Sequence, residues 1–363
     1  MSEVRFKLAA GTNVGLIRQN NEDNFVVCSD LSTSNWLIPQ VGDYTDLGKY
    51  GILLVVADGM GGANAGEVAS AIVVETIQNQ FVPEQLEEAV ATDKSIQEFM
   101  KEVVKSADLN ILHHSQNDSS TQGMGTTVVM AWILGDKAYI CWCGDSRCYV
   151  LNKRNGLIQL SKDHSYVQEL VDKGELSAEL MHDHPLSNVI TRCLGDVDNR
   201  ANPETRIYQL HNDDIIMLCS DGLCGLCHDD QILDVMIKFS DDPIECKNEL
   251  ISAALSAGGY DNVTIALAHI QTDEEEAEDD ADKDENADDD SAEKPSEGEL
   301  NTTIRSEVIG RKSHKWRNFM LLLLLLIIAA GIYIWMTKDT NPTSQSIVAA
   351  ITPYWEKLCS YIK

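Results

Sequence analysis

The chain has 363 residues, 44% of them hydrophobic and 24% charged, which is enough for one sizeable core and too apolar for disorder throughout. Its formal net charge of −30 argues against a nucleic-acid partner. Ten scattered cysteines, several inside apolar runs (Cys141, Cys143, Cys219), are those of a reducing compartment rather than of a disulfide scaffold.

Residues Met1 to Gly11 hold no apolar core of a signal peptide. Strand-like runs begin at Phe6–Ala9 and Ile52–Ala57. Two amphipathic helices follow: Ala69, Ile72, Val73, Thr76 and Ile77 form one stripe, and Ile96, Met100, Val103, Ala107 and Ile111 form another. Next come the runs Thr126–Leu134, Ala138–Cys143 and Cys148–Asn152, then a helix around Val167–Lys173. Runs Ile207–Leu210 and Ile215–Ser220, a helix over Pro243–Ala257 and a run Val263–Ile270 complete the series.

Short links such as Gly135-Asp136-Lys137 predict antiparallel pairing, and the two long helices stand together instead of alternating with strands. The expected fold is therefore α+β, two packed antiparallel β-sheets flanked by helices, over residues 1–271. A doubly wound parallel sheet would need a regular βαβ alternation that is missing.

Residues 272–310 read as an acidic disordered linker, because positions 273–299 carry sixteen Asp or Glu against Lys283 and Lys294. Residues 319–336 are an uninterrupted apolar run without charge, roughly 27 Å long as a helix and so sufficient for one transmembrane span. A buried core helix is the alternative, but nothing large remains for it to pack against. Trp316, Tyr333 and Trp335 suit interfacial anchoring. Arg305, Arg311, Lys312, Lys315 and Arg317 precede the span and Lys338 follows it, so the positive-inside rule predicts a single-pass cell-membrane protein with its large domain cytoplasmic. Residues 337–363 would then be a short extracytoplasmic tail, in which Ile347, Ala350, Ile351, Tyr354, Leu358 and Ile362 recur at helical spacing.

The chemistry-bearing residues are aspartates at the ends of apolar runs. Asp58-Gly59-Met60-Gly61-Gly62 follows Ile52–Ala57, Asp145-Ser146-Arg147 follows Ala138–Cys143, Asp221-Gly222-Leu223 follows Ile215–Ser220, and Asp261-Asn262 precedes Val263. Carboxylates held at strand ends, beside glycines that let backbone approach closely, make a site for hard divalent cations such as Mg²⁺ or Mn²⁺. Asp58 would bridge two ions, with the Gly59 carbonyl, Asp221 and Asp261 completing the set; water between two such ions becomes a hydroxide nucleophile at neutral pH. Any one of these aspartates alone reads as a turn former. The stretch Gly15 to Asn24 adds Arg18, whose guanidinium fork matches phosphate oxygens, together with Glu22 and Asp23; read blandly it is a polar surface loop. Cys224 and Cys227 form one Cys-x-x-Cys without the second pair or spaced histidines that a zinc site needs; a redox role is left open.

In this order, Arg18-x-x-Asn21-Glu22-Asp23, Val56-Ala57-Asp58-Gly59-Met60-Gly61-Gly62, Gly123-Met124-Gly125-Thr126-Thr127, Gly144-Asp145-Ser146-Arg147, Ser220-Asp221-Gly222-Leu223 and Asp261-Asn262-Val263-Thr264 resemble the metal-dependent protein phosphatases of the PPM type, also called type 2C serine/threonine phosphatases. The resemblance covers residues 5 to 270. Met60, where many eukaryotic members have His, and the stretch from Asp163-His164-Ser165 to Gly195, which corresponds to a mobile flap, are similar to the bacterial branch.

The resemblance implies that Arg18 holds substrate phosphate and that Asp58, Gly59, Asp221 and Asp261 bind two Mn²⁺ or Mg²⁺ ions. It implies that Glu22 holds metal-bound waters, that Asp145 contributes to a weaker third ion, and that phosphorylated proteins are the substrates. Gly225 departs from members with another acidic third-metal ligand at that position. With Met60 in place of His, the leaving alkoxide would take its proton from water. Asp23 supports the loop or the metal shell, Arg147 reads as a salt-bridging sheet residue, His164 as a hydrogen-bonding loop residue, and Asn188, Thr191 and Arg192 as residues that shape substrate access. A serine/threonine kinase is the natural partner and the lipid bilayer the anchor. The rival readings are a catalytically silent membrane scaffold that binds a phosphoprotein or kinase, and a sensor whose tail reads an outside signal.

Overall fold

The computed structural model describes residues 4–36, 44–61 and 65–272. The linker beyond Thr272, the expected span 319–336 and the tail 337–363 lie outside the described residues. Among the described residues no helix is long and apolar enough to cross a membrane.

The chain opens with β1 (Val4–Asn13), β2 (Asp23–Cys28), β3 (Thr45–Asp46) and β4 (Ile52–Met60), then α1 (Ala65–Gln80), α2 (Pro83–Ala89) and α3 (Asp93–Asn117). There follow β5 (Gly125–Thr126), β6 (Val128–Leu134), β7 (Lys137–Cys143), β8 (Arg147–Asn152), β9 (Gly156–Gln159) and α4 (Tyr166–Asp172). It closes with β10 (Glu204–Gln209), β11 (Ile215–Cys219), α5 (Asp221–Cys224), α6 (Asp229–Lys238), α7 (Pro243–Ser256) and β12 (Val263–Thr272).

All strand pairs are antiparallel. One sheet runs β3-β1-β12-β11-β8-β9 and the other β10-β7-β6-β4-β2, with β5 added on β4. The period-two alternation of side chains assigns each strand to two cores. On β4, Leu53, Val55 and Ala57 pack toward α1 and α3, while Ile52, Leu54 and Val56 meet β12 and β11 through Ala266, Ala268 and Leu218. Across β11, Ile215, Met217 and Cys219 face Ile232 and Met236 of α6 and Leu250 of α7. Helices thus cover both outer faces, which is why β4, β6 and β11 are apolar on both sides. The expected two-sheet α+β fold is the observed one.

Two of the boundary differences bear on the site. β4 does not stop at Ala57 but runs to Met60, because Gly59 and Met60 gain new partners in Thr126 and Gly125. The expected strand 126–134 is split at Thr127, whose amide donates to the Asp58 carbonyl at 2.8 Å, leaving β5 and β6 as separate pieces. β2, β3, β9, α2, α5 and α6 were not anticipated. β2 is a short buried run behind a polar loop, and α6 is a ten-residue helix with a narrow apolar stripe, Ile232 and Met236.

Candidate metal centre

Five aspartates meet where strands from both sheets end. Asp58 stands directly across from Asp23 in the β2–β4 ladder. Asp221 opens α5 just after β11, Asp261 precedes β12, and Asp145 follows β7 and is buried. Asp58 sits close enough to Asp23, Asp221 and Asp145 for their charges to oppose its ionisation. Carboxylates gathered this way need protons, or cations in their place.

The electrostatics say the same. Burial first, then repulsion from Asp23, Asp221 and Asp145, drives the Asp58 carboxyl well above the usual range. Asp145 is driven the same way by burial and by Asp221, and Asp221 by burial and by Asp261. Burial together with the charges of Asp221 and Asp261 pushes Asp23 up to about 7, against hydrogen bonds from Thr264 and Ser220. Burying several carboxylates without countercharge is costly; bound cations would reverse that cost. The donors are carboxylate oxygens and the Gly59 carbonyl, a set suited to Mg²⁺ or Mn²⁺.

Gly59 has a geometric reason to be glycine. A Cβ there would lie 2.2 Å from the Gly66 carbonyl oxygen and 2.5 Å from that of Glu22, so α1 could not approach β4. The Gly59 amide and the Ser70 hydroxyl both donate to the Glu22 carbonyl, at 3.2 and 2.7 Å, and fix the end of the 15–22 loop. Arg18, on that loop, donates from Nη2 to Asp261 Oδ2 at 2.7 Å and lies 4.0 Å from Glu22. Burial raises the Glu22 carboxyl against the opposing effect of Arg18. All the predicted residues, Arg18, Glu22, Asp58, Gly59, Asp145, Asp221 and Asp261, belong to this one region.

Two residues of the quoted motifs turn out to hold it together. Asn262 Oδ1 accepts from the Glu22 amide at 2.7 Å, while its Nδ2 donates to the carbonyls of Val14 and Asn20, pinning the loop that carries Arg18. Ser220 Oγ donates to Asp23 Oδ2 at 2.7 Å and accepts from the Thr264 amide at 3.0 Å. Their spacing beside Asp261 and Asp221 was the available signal.

A cleft of about 190 Å³ opens beside Asp145, Asp221 and Asp261 and is walled on its other side by Met181, His182, Ser187 and Asn188. Of the three residues expected to shape access, Asn188 lines it. Thr191 and Arg192 do not: the Thr191 amide binds the His164 carbonyl at 2.8 Å, and Arg192 pairs with Glu204 at 2.8 Å. Arg147 makes a forked ion pair with Asp163 on the cleft wall, at 2.9 and 2.7 Å, and donates to Tyr149. Burial lowers His164, keeping it neutral; Nδ1 accepts from the Gly144 amide at 3.1 Å and Nε2 lies 3.2 Å from Glu204. The thiols of Cys224 and Cys227 are free and buried, and both are raised, Cys224 by the neighbouring Cys219 thiol and by burial, Cys227 by burial, which disfavours the thiolate.

The sequence profile of the protein phosphatase 2C family matches residues 42–255. The serine/threonine phosphatase stp of Listeria welshimeri is 32% identical over 256 residues, which is 70% of this chain and 92% of that protein. Among solved structures, the serine/threonine phosphatase PstP/Ppp of Mycobacterium tuberculosis aligns with a TM-score of 0.60 at 30% identity, covering 74% of this chain and 99% of that one. The catalytic domain of the serine/threonine protein phosphatase PstP in complex with two manganese ions aligns with a TM-score of 0.58 at 29% identity, covering 74% and 99%. A shared fold, a match over more than half the chain and the assembled aspartate cluster lead to one conclusion: this chain belongs to the protein phosphatase 2C family, as a serine/threonine protein phosphatase of its bacterial branch.

Proposed function

We propose that the chain removes phosphate from phosphoserine and phosphothreonine of proteins, with two Mn²⁺ or Mg²⁺ ions held by Asp58, the Gly59 carbonyl, Asp221 and Asp261, and a weaker third involving Asp145. The observation that carries this reading is the convergence of Asp58, Asp145, Asp221 and Asp261 at strand ends of both sheets, with Asp58 opposite Asp23 in the β2–β4 ladder. When bound, the ions acidify water and offset phosphate charge. The half-exposed guanidinium of Arg18 holds phosphate oxygens, in place of its present bond to Asp261. Asp58 is kept in place through its backbone, since its carbonyl accepts from the Thr127 amide and the Thr126 hydroxyl, each at 2.8 Å. Glu22 stands at the rim to orient water. No side-chain acid stands at Met60, so the leaving serine or threonine oxygen takes its proton from water.

We also place the catalytic domain, residues 1–271, on the cytoplasmic side of the cell membrane, joined by the linker 272–310 to a span at 319–336 and the tail 337–363. The apolar run and the basic residues before it support this. A flexible linker of this kind reaches roughly 5–6 Å × √n, so phosphoproteins near the membrane, a serine/threonine kinase among them, are the natural substrates.

Hydrolysis of a phosphothreonine peptide in ¹⁸O-water tests the chemistry. Direct attack by water puts one ¹⁸O into each phosphate released and leaves no phosphoenzyme to trap by acid quench; trapped phosphoenzyme would refute the reading. A catalytically silent scaffold would release no phosphate. For the anchor, the full chain should sediment with membranes and a chain ending at Thr272 should not; equal partitioning would remove it.

A further inference from the structure

Outside the carboxylate cluster, His182, Asp183 and His228 form a second group suited to a cation. Among the described residues it is the one trio of metal-ligating side chains whose ligand atoms all lie within 4.8 Å of one another. His182 and Asp183 belong to the segment between α4 and β10 that contributes to the cleft wall, and His228 is the residue just before α6. The imidazole rings lie 3.8 Å apart at 31°. His182 Nδ1 is 3.4 Å from Asp183 Oδ1, while its Nε2 is buried without a hydrogen-bond partner. A buried ring nitrogen with no partner is an unmet demand for a proton donor, a proton acceptor or a metal.

We propose that His182, Asp183 and His228 bind a divalent cation of borderline softness, Zn²⁺ above all, and thereby clasp the cleft wall to α6. Two imidazoles and one carboxylate are a donor set for Zn²⁺ with a fourth position open, whereas the oxygen-only set at Asp58 suits Mn²⁺ or Mg²⁺. Tetrahedral Zn–N bonds of about 2.0–2.1 Å require ligand atoms roughly 3.3–3.4 Å apart. Asp183 and His228 are exposed, so side-chain rotation alone brings the trio together and the site is open to ions from solvent. His182 itself lines the cleft. A cation there ties the wall of the substrate cleft to the helix that follows Asp221 and Gly225, so the ion sets how freely that wall moves.

The test uses the full chain with its binuclear centre saturated with Mn²⁺, titrated with Zn²⁺ and, for its visible spectrum, with Co²⁺. One additional equivalent should bind, with the intense absorption of a tetrahedral nitrogen-ligated Co²⁺ centre, and Zn²⁺ should slow amide hydrogen exchange through residues 178–190. His228→Ala and His182→Ala should each lose the spectrum and weaken Zn²⁺ on the order of tenfold or more, and Asp183→Asn should weaken it less. His228 is exposed, so His228→Ala keeps its fold, and retained Mn²⁺-dependent turnover without Zn²⁺ verifies that. Unchanged Zn²⁺ affinity and Co²⁺ spectrum in His228→Ala would overturn the site. Bound Zn²⁺ without slower exchange at 178–190 would overturn the clasp. Neither readout depends on the phosphatase chemistry.

Discussion

Asp23 and Asp58 are paired opposite each other across β2 and β4, and both carboxyls are raised, by burial and by charges that include each other's neighbours. Two acids facing one another inside a sheet edge are a liability to the metal-free fold and an asset to the metal-bound one. Asp58→Asn should therefore lower phosphatase turnover on the order of 10³-fold or more while raising the stability of the metal-free protein by roughly 1 kcal/mol. Denaturant unfolding in chelator, beside phosphate release in Mn²⁺, checks both halves.

The pH dependence follows from Asp23, whose carboxyl rises from 3.8 to about 7 in the folded chain. A raised folded pKa means the native state holds a proton that the unfolded state has lost. Its stabilising contribution is complete below pH 3.8 and is lost as pH rises through about 7. In chelator, Asp23→Asn should raise the melting temperature more at pH 8, by roughly 2–4 °C, than at pH 5, where only part of the contribution has been lost. With saturating Mn²⁺ that gain should vanish or reverse, because cations then offset the charge. A scanning-calorimetry series at these two pH values, with and without metal, tests it.

Gly59→Ala should be far more disruptive than its size suggests. The added methyl meets two backbone oxygens, of Gly66 and Glu22, that cannot rotate away. A loss of about 3 kcal/mol or more, with loss of metal binding, is expected in urea unfolding and Mn²⁺ calorimetry.

For Arg18, the forked guanidinium matters more than the charge. Arg18→Lys should raise KM for a phosphopeptide about tenfold with a smaller change in kcat, since lysine cannot engage two phosphate oxygens at once. Steady-state kinetics separates the two; equal loss in kcat would place Arg18 on the transition state alone.

Much of this was legible in the sequence because glycine and aspartate carry strong local meaning. Asp58-Gly59, Asp145, Asp221 and Asp261 could be read as strand-end ligands because each flanks an apolar run, and the two-sheet fold followed from short links and paired helices. What escaped depends on partners far along the chain. The extension of β4 through Met60 is set by Gly125 and Thr126, and the anchoring role of Asn262 by the Glu22 amide and the carbonyls of Val14 and Asn20. Likewise Arg192, read as shaping substrate access, pairs with Glu204 on β10 and does not line the cleft. The meeting of His182 with His228 leaves no local pattern at all.

The most direct measurement is phosphate release from a phosphothreonine peptide by the full chain, with Mn²⁺, with Mg²⁺ and with chelator, beside folded Asp58→Asn. The account predicts turnover that needs the metal and disappears with the substitution. Turnover that persists in chelator or in Asp58→Asn, or a folded, Mn²⁺-loaded chain that releases no phosphate, would contradict it.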